Sequence, residues 1–186
     1  MITEEVTGKV MVELVFLIGY RAVGKTTIGR RLAEQLGYDF VDSDALICEN
    51  KGQSVAEIVA AEGWAGFRAV EAEVLSSLAR RRRCVVATGG GAVLHQGLWR
   101  HLKRQGLVVW LRADQDVICA RIAGDAATTG QRPSLTGGGI CAEVAAVLAE
   151  REPLYQQVAD RVVESGRIDP EQAVAQIMEL LAAAAV

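Results

Sequence analysis

The chain has 186 residues, of which 51% are hydrophobic and 23% charged, a composition typical of a soluble protein that folds as one domain. Its formal net charge of −3 excludes a general attraction for nucleic acid or acidic membranes, and no apolar run approaches the length of a membrane span. The four cysteines show no C-x-x-C pairing, which argues against a zinc site and a disulfide framework and favours a reducing compartment, the cytoplasm.

The first predicted strand, at residues 14–18, ends at a loop that reads G-x-x-x-x-G-K-T over residues 19–26. Residues 27–36 then place apolar side chains on one helical face. In this context the backbone N–H groups and the helix N-terminus converge on a polyphosphate, Lys25 reaches the β- and γ-oxygens, and the Thr26 hydroxyl can ligate Mg²⁺. A chance match does not explain a strand and a helix that are both in register. The loop therefore predicts a nucleoside-triphosphate site.

The second predicted strand, at residues 38–41, is followed by Asp42 and Asp44. Because ligands bind beyond the carboxyl ends of the strands in an open parallel sheet, both carboxylates are expected to face Lys25. One could hold a magnesium-bound water while the other accepts a hydrogen bond from a substrate hydroxyl. Either aspartate could instead be the N-cap of a helix, and the spacing leaves both interpretations open.

Three consecutive glycines, Gly89, Gly90 and Gly91, come after the strand predicted at residues 84–87. Successive glycines expose their N–H groups and allow a ligand to approach the backbone very closely. A tight turn could also use glycine, although it rarely needs three. This turn is therefore a second candidate binding element at the carboxyl end of a strand.

The remaining predicted elements alternate between helices and strands, which is the pattern of a parallel α/β sheet. They are a helix opened by the capping box Ser54-x-x-Glu57, helices at about 67–83, 98–104, 114–123 and 140–157, strands at 107–111 and 161–163, and a last helix that begins near Pro170.

Residues 124–139 differ from the rest of the chain, because they are small, polar and rich in glycine. Such a segment can bury little surface, so we expect it to be mobile. It contains Arg132, and Arg68 and Arg151 are two further isolated arginines whose guanidinium groups suit a carboxylate or a phosphate. Most surface arginines have no specific ligand, so none of the three is diagnostic by itself.

The residues at the end of the strand at 84–87 narrow the class of nucleotide-dependent protein. Thr88 and the glycines stand where a Walker B motif would place its aspartate, which disfavours motor ATPases and helicases. The switch and base-reading motifs of GTPases are also missing. A small-molecule kinase is the class that remains.

Six motifs, taken in order, resemble those of the shikimate kinases. They are the loop at 19–26, Asp42-x-Asp44, Phe67-Arg68-x-x-Glu71, Gly89-Gly90-Gly91, Arg132-Pro133 and Arg151-x-Pro153-Leu154-Tyr155. The resemblance extends from about residue 14 to residue 178. It implies a three-layer α/β P-loop fold, with a five-stranded parallel sheet in the order 2-3-1-4-5 flanked by helices. It further implies a single domain over residues 1–186, a mobile lid at about 124–139 and substrate-binding helices at about 43–71.

The resemblance also implies an activity, the transfer of the ATP γ-phosphoryl group to the 3-hydroxyl of shikimate on the route to chorismate and the aromatic amino acids. ATP and Mg²⁺ are the implied cofactors. The implied nucleotide-binding residues are Ala22, Val23, Gly24, Lys25, Thr26, Thr27, Arg121, Arg132, Arg167 and Pro170. Thr26 would ligate Mg²⁺ directly and Asp42 would do so through water.

The implied shikimate-binding residues are Asp44, Arg68, Gly89, Gly90, Gly91 and Arg151. The resemblance gives Asp44 the role of orienting or deprotonating the attacking hydroxyl. Asp44, Lys25 and Arg132 together are the implied catalytic residues. No histidine base is needed, so His95 and His101 are expected to be incidental.

Two departures from the family pattern and two alternative functions accompany this interpretation. Trp64 lies in a segment where the family usually has an acidic residue, and Ser134 stands in the lid where leucine is common. A related enzyme such as a gluconate kinase would not need both Arg68 and Arg151. A non-catalytic ATP-binding module would be expected to have lost a residue such as Lys25.

We expect a monomer that binds neither nucleic acid nor membranes.

Overall fold

Five strands form one parallel sheet in a computed structural model that describes residues 12–124 and 139–184. The order across the sheet is β2-β3-β1-β4-β5, and all four neighbouring pairs are parallel. The strands are β1 (Leu14–Ile18), β2 (Asp39–Asp42), β3 (Cys84–Ala87), β4 (Leu107–Arg112) and β5 (Arg161–Glu164). This order confirms the one implied by the resemblance.

Helices connect consecutive strands and cover both faces of the sheet. They are α1 (Lys25–Leu36), α2 (Ser43–Lys51), α3 (Val55–Leu78), α4 (Gln96–Leu102), α5 (Gln115–Gly124), α6 (Ile140–Val158) and α7 (Pro170–Ala184), with a 3₁₀ turn at Ala92–Leu94. The predicted lid lies outside the described residues except for its two ends, and Arg132 and Ser134 lie outside them as well.

Helix α3 joins the two helices that the sequence predicts in this region, and it ends earlier than predicted. The capping box is present, because Ser54 Oγ accepts from Glu57 N–H at 3.2 Å and the Glu57 carboxylate accepts from Ser54 N–H at 2.7 Å. Gly63, with a φ of 69°, kinks the helix. The helix ends at Leu78 and not near residue 83; Arg83 itself has a φ of 51°, through which a right-handed helix cannot continue.

The sheet is buried on both faces, which explains why β1 is apolar at every position. Val15 and Leu17 point into one core layer, whereas Phe16 points into the other. The first layer is completed by α1, α5 and α7, the second by α2, α3 and α4, and α6 contributes to both. The result is the three-layer α/β architecture. Within the described residues, no helix is both long and apolar enough to cross a membrane.

Two of the cysteines that are far apart in sequence come together between α5 and α6. Burial, together with a contact to the Cys141 thiol, raises the pKa of the Cys119 thiol to about 11. All four cysteines are free thiols.

The loops at the ends of β1, β2, β3 and β5 meet at one edge of the sheet, because parallel strands end on the same side. Side-chain bonds tie these loops together. Ser165, directly after β5, donates through Oγ to the Val23 carbonyl at 2.8 Å. Ser43, at the start of α2, accepts from the Gly89 N–H at 3.0 Å. A functional site is therefore expected at this edge of the sheet.

Candidate active site

The loop between β1 and α1 forms an anion-binding cradle. Gly24 is the N-cap of α1 with a φ of 96°, and no side chain caps the helix there. The first N–H groups of α1 therefore point into the loop, where an anion is favoured by the helix dipole. Lys25 is only 9% exposed, and its ammonium donates to the carbonyls of Gly19 at 2.9 Å and Tyr20 at 2.6 Å. The lysine is thus fixed against the loop.

Asp42 is the N-cap of α2, one of the two interpretations that the sequence left open, and it also contacts the phosphate loop. Its Oδ1 caps α2, accepting from the N–H groups of Asp44 at 3.1 Å and Ala45 at 3.3 Å. Its Oδ2 accepts from the Thr26 hydroxyl at 2.8 Å. Because the cap fixes the carboxylate, its second oxygen is held beside Thr26. This places two hard oxygen ligands next to each other at the phosphate loop.

A cavity of about 620 Å³, which we term the loop cleft, opens over this loop. Among the predicted nucleotide-binding residues, its walls include Ala22, Val23, Gly24, Lys25, Thr26, Thr27, Arg121 and Pro170. Arg121 joins two walls, since it donates to the Ala22 carbonyl and the Ser165 carbonyl, each at 3.1 Å. Arg167 does not line the cleft and pairs with Asp114 at 3.1 Å.

A second, smaller cavity of about 50 Å³, which we term the inner pocket, lies beside the loop cleft. It is lined by all six of the predicted shikimate-binding residues, Asp44, Arg68, Gly89, Gly90, Gly91 and Arg151. Tyr20, Trp64 and Phe67 add aromatic walls. The two cavities share Arg21, Asp44 and Gly90 in their linings. A group bound in one cavity is therefore next to a group bound in the other.

Arg151 enters the inner pocket from α6 in a fixed orientation. It is 7% exposed, and its Nη1 donates to the Gly90 carbonyl at 3.1 Å. The Tyr155 hydroxyl, one turn further along α6, donates to the same carbonyl at 2.6 Å. Burial raises the pKa of the Tyr155 phenol well above its usual value, so this hydroxyl stays a neutral donor. The glycine turn and the arginine are thus held as one unit.

Arg68 enters the same pocket from α3. Its guanidinium lies 5.5 Å from the centre of the Trp64 ring and 5.3 Å from that of Phe67, within cation–π range. A Cβ atom on Gly91 would overlap this guanidinium. Trp64 therefore packs against a pocket arginine, which gives this departure from the family pattern a structural explanation.

Sequence reasoning missed several residues that shape these cavities. Glu71, which is fully buried, pairs with Arg68, and His95 contacts Glu71 at 2.9 Å, a contact that the sequence did not indicate. Arg21 pairs with Glu143 at 2.8 Å. Sequence spacing carries no signal for His95 or Glu143, because each meets its partner across a long stretch of chain. Glu71 stood in a recognised motif, although the motif gave it no role.

The comparisons with known proteins agree with this geometry. A family model described as shikimate kinase matches residues 21–182. The shikimate kinase 2 of Yersinia enterocolitica is 46% identical over 172 residues, which cover 92% of this chain and 97% of the relative. The solved structure of a shikimate kinase from Acinetobacter baumannii, in complex with shikimate, matches with a TM-score of 0.86 at 33% identity. That match covers 93% of this chain and 94% of the other.

A gluconokinase from Sinorhizobium meliloti also matches, with a TM-score of 0.60 at 19% identity and 94% of each chain covered. At this level of identity the likeness shows a shared fold alone.

Proposed function

The chain belongs to the shikimate kinase family, and we propose that it transfers the γ-phosphoryl group of ATP to the 3-hydroxyl of shikimate by using the two cavities together. The observation that carries the proposal is that the loop cleft and the inner pocket meet at Arg21, Asp44 and Gly90. A terminal phosphate over the loop then lies next to an acid in the pocket. Phosphoryl transfer depends mainly on such positioning and on charge neutralisation.

In the loop cleft, we assign the phosphates of ATP to the backbone of residues 22–27 and to Lys25. The N-terminus of α1 and the lysine both favour negative charge, and their geometry is fixed before any nucleotide binds. The family resemblance assigns Arg121 and Pro170 to adenine, and both line the same cleft, which supports this assignment. Arg167 stays a prediction for this region, as does the lid residue Arg132, which lies outside the described residues.

Thr26 and Asp42 would hold Mg²⁺, which supplies charge neutralisation to the phosphates when it is bound. Their oxygens lie 2.8 Å apart beside the loop. Such oxygen atoms are the ligands that Mg²⁺ prefers, and beside nucleotide phosphates it needs only one or two of them from the protein. The residues present therefore fit this cation.

In the inner pocket, we assign the carboxylate of shikimate to Arg68 and Arg151, and its hydroxyls to Asp44 and the glycine turn. Two guanidinium groups that enter from different helices can hold a carboxylate in a fixed direction. Asp44 stands where the two cavities meet, so it is placed to orient the attacking hydroxyl and accept its proton. The aromatic walls leave few polar groups to hold water, which would otherwise compete as the acceptor.

The direct test is a coupled assay of ADP release with shikimate and with gluconate, each at saturating MgATP. We expect turnover with shikimate alone, and mass spectrometry should identify a monophosphorylated acid. Turnover with gluconate in place of shikimate would favour the related kinase. Nucleotide binding in a calorimeter without any phosphorylated product would favour a non-catalytic module. The cytoplasmic location and the monomeric state stay predictions.

A further inference from the structure

The orientation of Arg68 depends on more than its own helix. Its guanidinium lies within cation–π range of the Trp64 and Phe67 rings, and the backbone of Gly91 approaches it so closely that a Cβ there would overlap it. Glu71, one turn along α3, accepts a charge-assisted hydrogen bond from Nη1 of the arginine. The rings and the glycine limit where the guanidinium can lie, whereas the carboxylate of Glu71 determines how it is rotated.

Glu71 is a fully buried carboxylate, so its own position depends on the donors around it. Two of these donors meet at its Oε2, namely Arg68 Nη1 and His95 Nε2, the latter at 2.9 Å. A carboxylate oxygen accepts, so the imidazole carries a proton on Nε2 in this contact. The bond to Arg68 lies within α3. His95 is the donor that fixes Glu71 from outside the helix.

The backbone around His95 holds the imidazole in place. Its N–H donates to the Ala92 carbonyl at 3.2 Å, and its own carbonyl accepts from Leu98 and Trp99 at 2.9 and 3.1 Å. His95 is the N-cap residue of α4, yet its side chain makes no capping bond. Replacing the side chain therefore removes the contact to Glu71 without removing a helix cap.

We propose that His95 is a positioning residue for the substrate, which acts by holding Glu71 so that Arg68 presents its guanidinium to the carboxylate of shikimate. The inference deepens the proposed function and rests on its assignment of Arg68. Without His95, the Glu71 carboxylate can rotate, and the arginine would have to be ordered at the moment of binding. That ordering cost would appear in the affinity for the acid and not in the chemical step.

The test measures shikimate affinity by calorimetry without nucleotide, and kcat and KM for both substrates in the coupled assay. We expect His95→Ala to raise the Kd and KM of shikimate about 10-fold, as for the loss of a hydrogen bond to a charged group. The KM of ATP and kcat should not change. His95→Gln should recover most of the affinity, because its amide nitrogen can occupy the place of Nε2. His101→Ala, on the exposed side of α4, is the matched control and should behave like the wild type.

A double-mutant cycle with Glu71→Gln separates action through Glu71 from a direct effect. If His95 acts through Glu71, adding His95→Ala to the Glu71→Gln variant should raise the Kd of shikimate little further. Unchanged shikimate affinity in His95→Ala, while Arg68→Ala loses it, would overturn the proposal and leave the proposed function intact. If His95→Ala instead lost affinity for ATP and for shikimate to the same extent and had a lower Tm, its role would be purely structural, and the proposal would be overturned as well. Wild-type affinity in Arg68→Ala would contradict the assignment of Arg68, and with it both proposals.

Discussion

The two cavities of this protein are built in different ways. The loop cleft takes half of its lining residues from one consecutive run, residues 21–28, which includes backbone groups at the start of one helix. The inner pocket takes its polar wall from side chains on α2, α3 and α6 and from the glycine turn. The first cavity is therefore built around one local structure, whereas the second has no such continuous segment and exists only when distant parts of the chain pack together.

This difference affects how each cavity is stabilised. The ammonium of Lys25 binds carbonyls five and six residues away in the same loop. The guanidinium of Arg151 binds the Gly90 carbonyl, 61 residues away. A substitution in the loop cleft should therefore act on the phosphate directly, whereas one in the inner pocket can act through a neighbour. Four substitutions test this contrast, ordered from the largest expected effect to the smallest.

Lys25→Met should abolish most of the activity. It removes the positive charge that the proposal assigns to the transferring phosphate, and a loss of about 10²-fold or more in kcat is expected. The measurement is steady-state turnover at saturating shikimate and ATP. Lys51→Met, a lysine outside both cavities, is the control and should keep wild-type turnover. Wild-type kcat in Lys25→Met would refute the assignment of the loop.

Arg151→Ala should weaken the binding of shikimate and leave the binding of ATP unaffected. It removes one of two guanidinium groups from the acid, at a cost of roughly 2–3 kcal/mol for a charge-assisted hydrogen bond. The two Kd values, measured by calorimetry, are compared with those of Arg100→Ala, an exposed arginine on α4. If Arg151→Ala weakened the binding of shikimate and of ATP to the same extent, the two cavities would not be independent.

Gly91→Ala should disturb the inner pocket through Arg68 alone. The backbone at Gly91 has a φ of −100°, which alanine adopts without strain, but the new Cβ would overlap the guanidinium. Overpacking of this kind costs about 1–3 kcal/mol, so the KM of shikimate should rise about 10-fold. The control is Gly97→Ala in α4, where no atom lies within 4 Å of the added Cβ. If both variants bind shikimate equally well, Arg68 is not confined by the turn.

Ser54→Ala should affect stability and neither cavity. The capping box opens α3, and its loss should lower the free energy of unfolding by about 1 kcal/mol. Gly63 breaks the helix before Arg68, so both KM values should stay at their wild-type levels. Urea unfolding of Ser54→Ala and Ser54→Thr, which keeps the cap oxygen, provides the comparison. A raised shikimate KM in the alanine variant would show that the first half of α3 also positions the arginine.

The sequence predicted the strand order through the resemblance and located every strand to within about two residues, because apolar runs and turn residues are local signals. It also identified Lys25, Thr26 and Asp42 as neighbours. It offered the N-cap role as one possibility for Asp42, but it did not anticipate that the other oxygen of the same carboxylate accepts from Thr26. The end of α3 was misplaced, since only the chain's turn into β3 gives Arg83 its left-handed backbone.

The inner pocket shows where sequence reasoning reached its limit. The isolated arginines could be named, but their partners could not, because nothing in the spacing links Arg68 to His95 or Arg151 to Gly90. Histidine was judged incidental on chemical grounds, since phosphoryl transfer needs no imidazole base. The structure gives His95 a contact to a buried carboxylate, which is a matter of packing and not of reaction chemistry.

By itself, the sequence determined the elements whose physical cause lies within a few residues: the phosphate loop between a strand and a helix, the capping box at Ser54, and the three glycines after β3. Only the tertiary structure decided which side chains share the inner pocket and how Arg68 is oriented. The reason is that backbone hydrogen bonds and helix dipoles act along the chain. The burial of Glu71 and the approach of His95 require a folded core that brings remote segments within hydrogen-bonding distance.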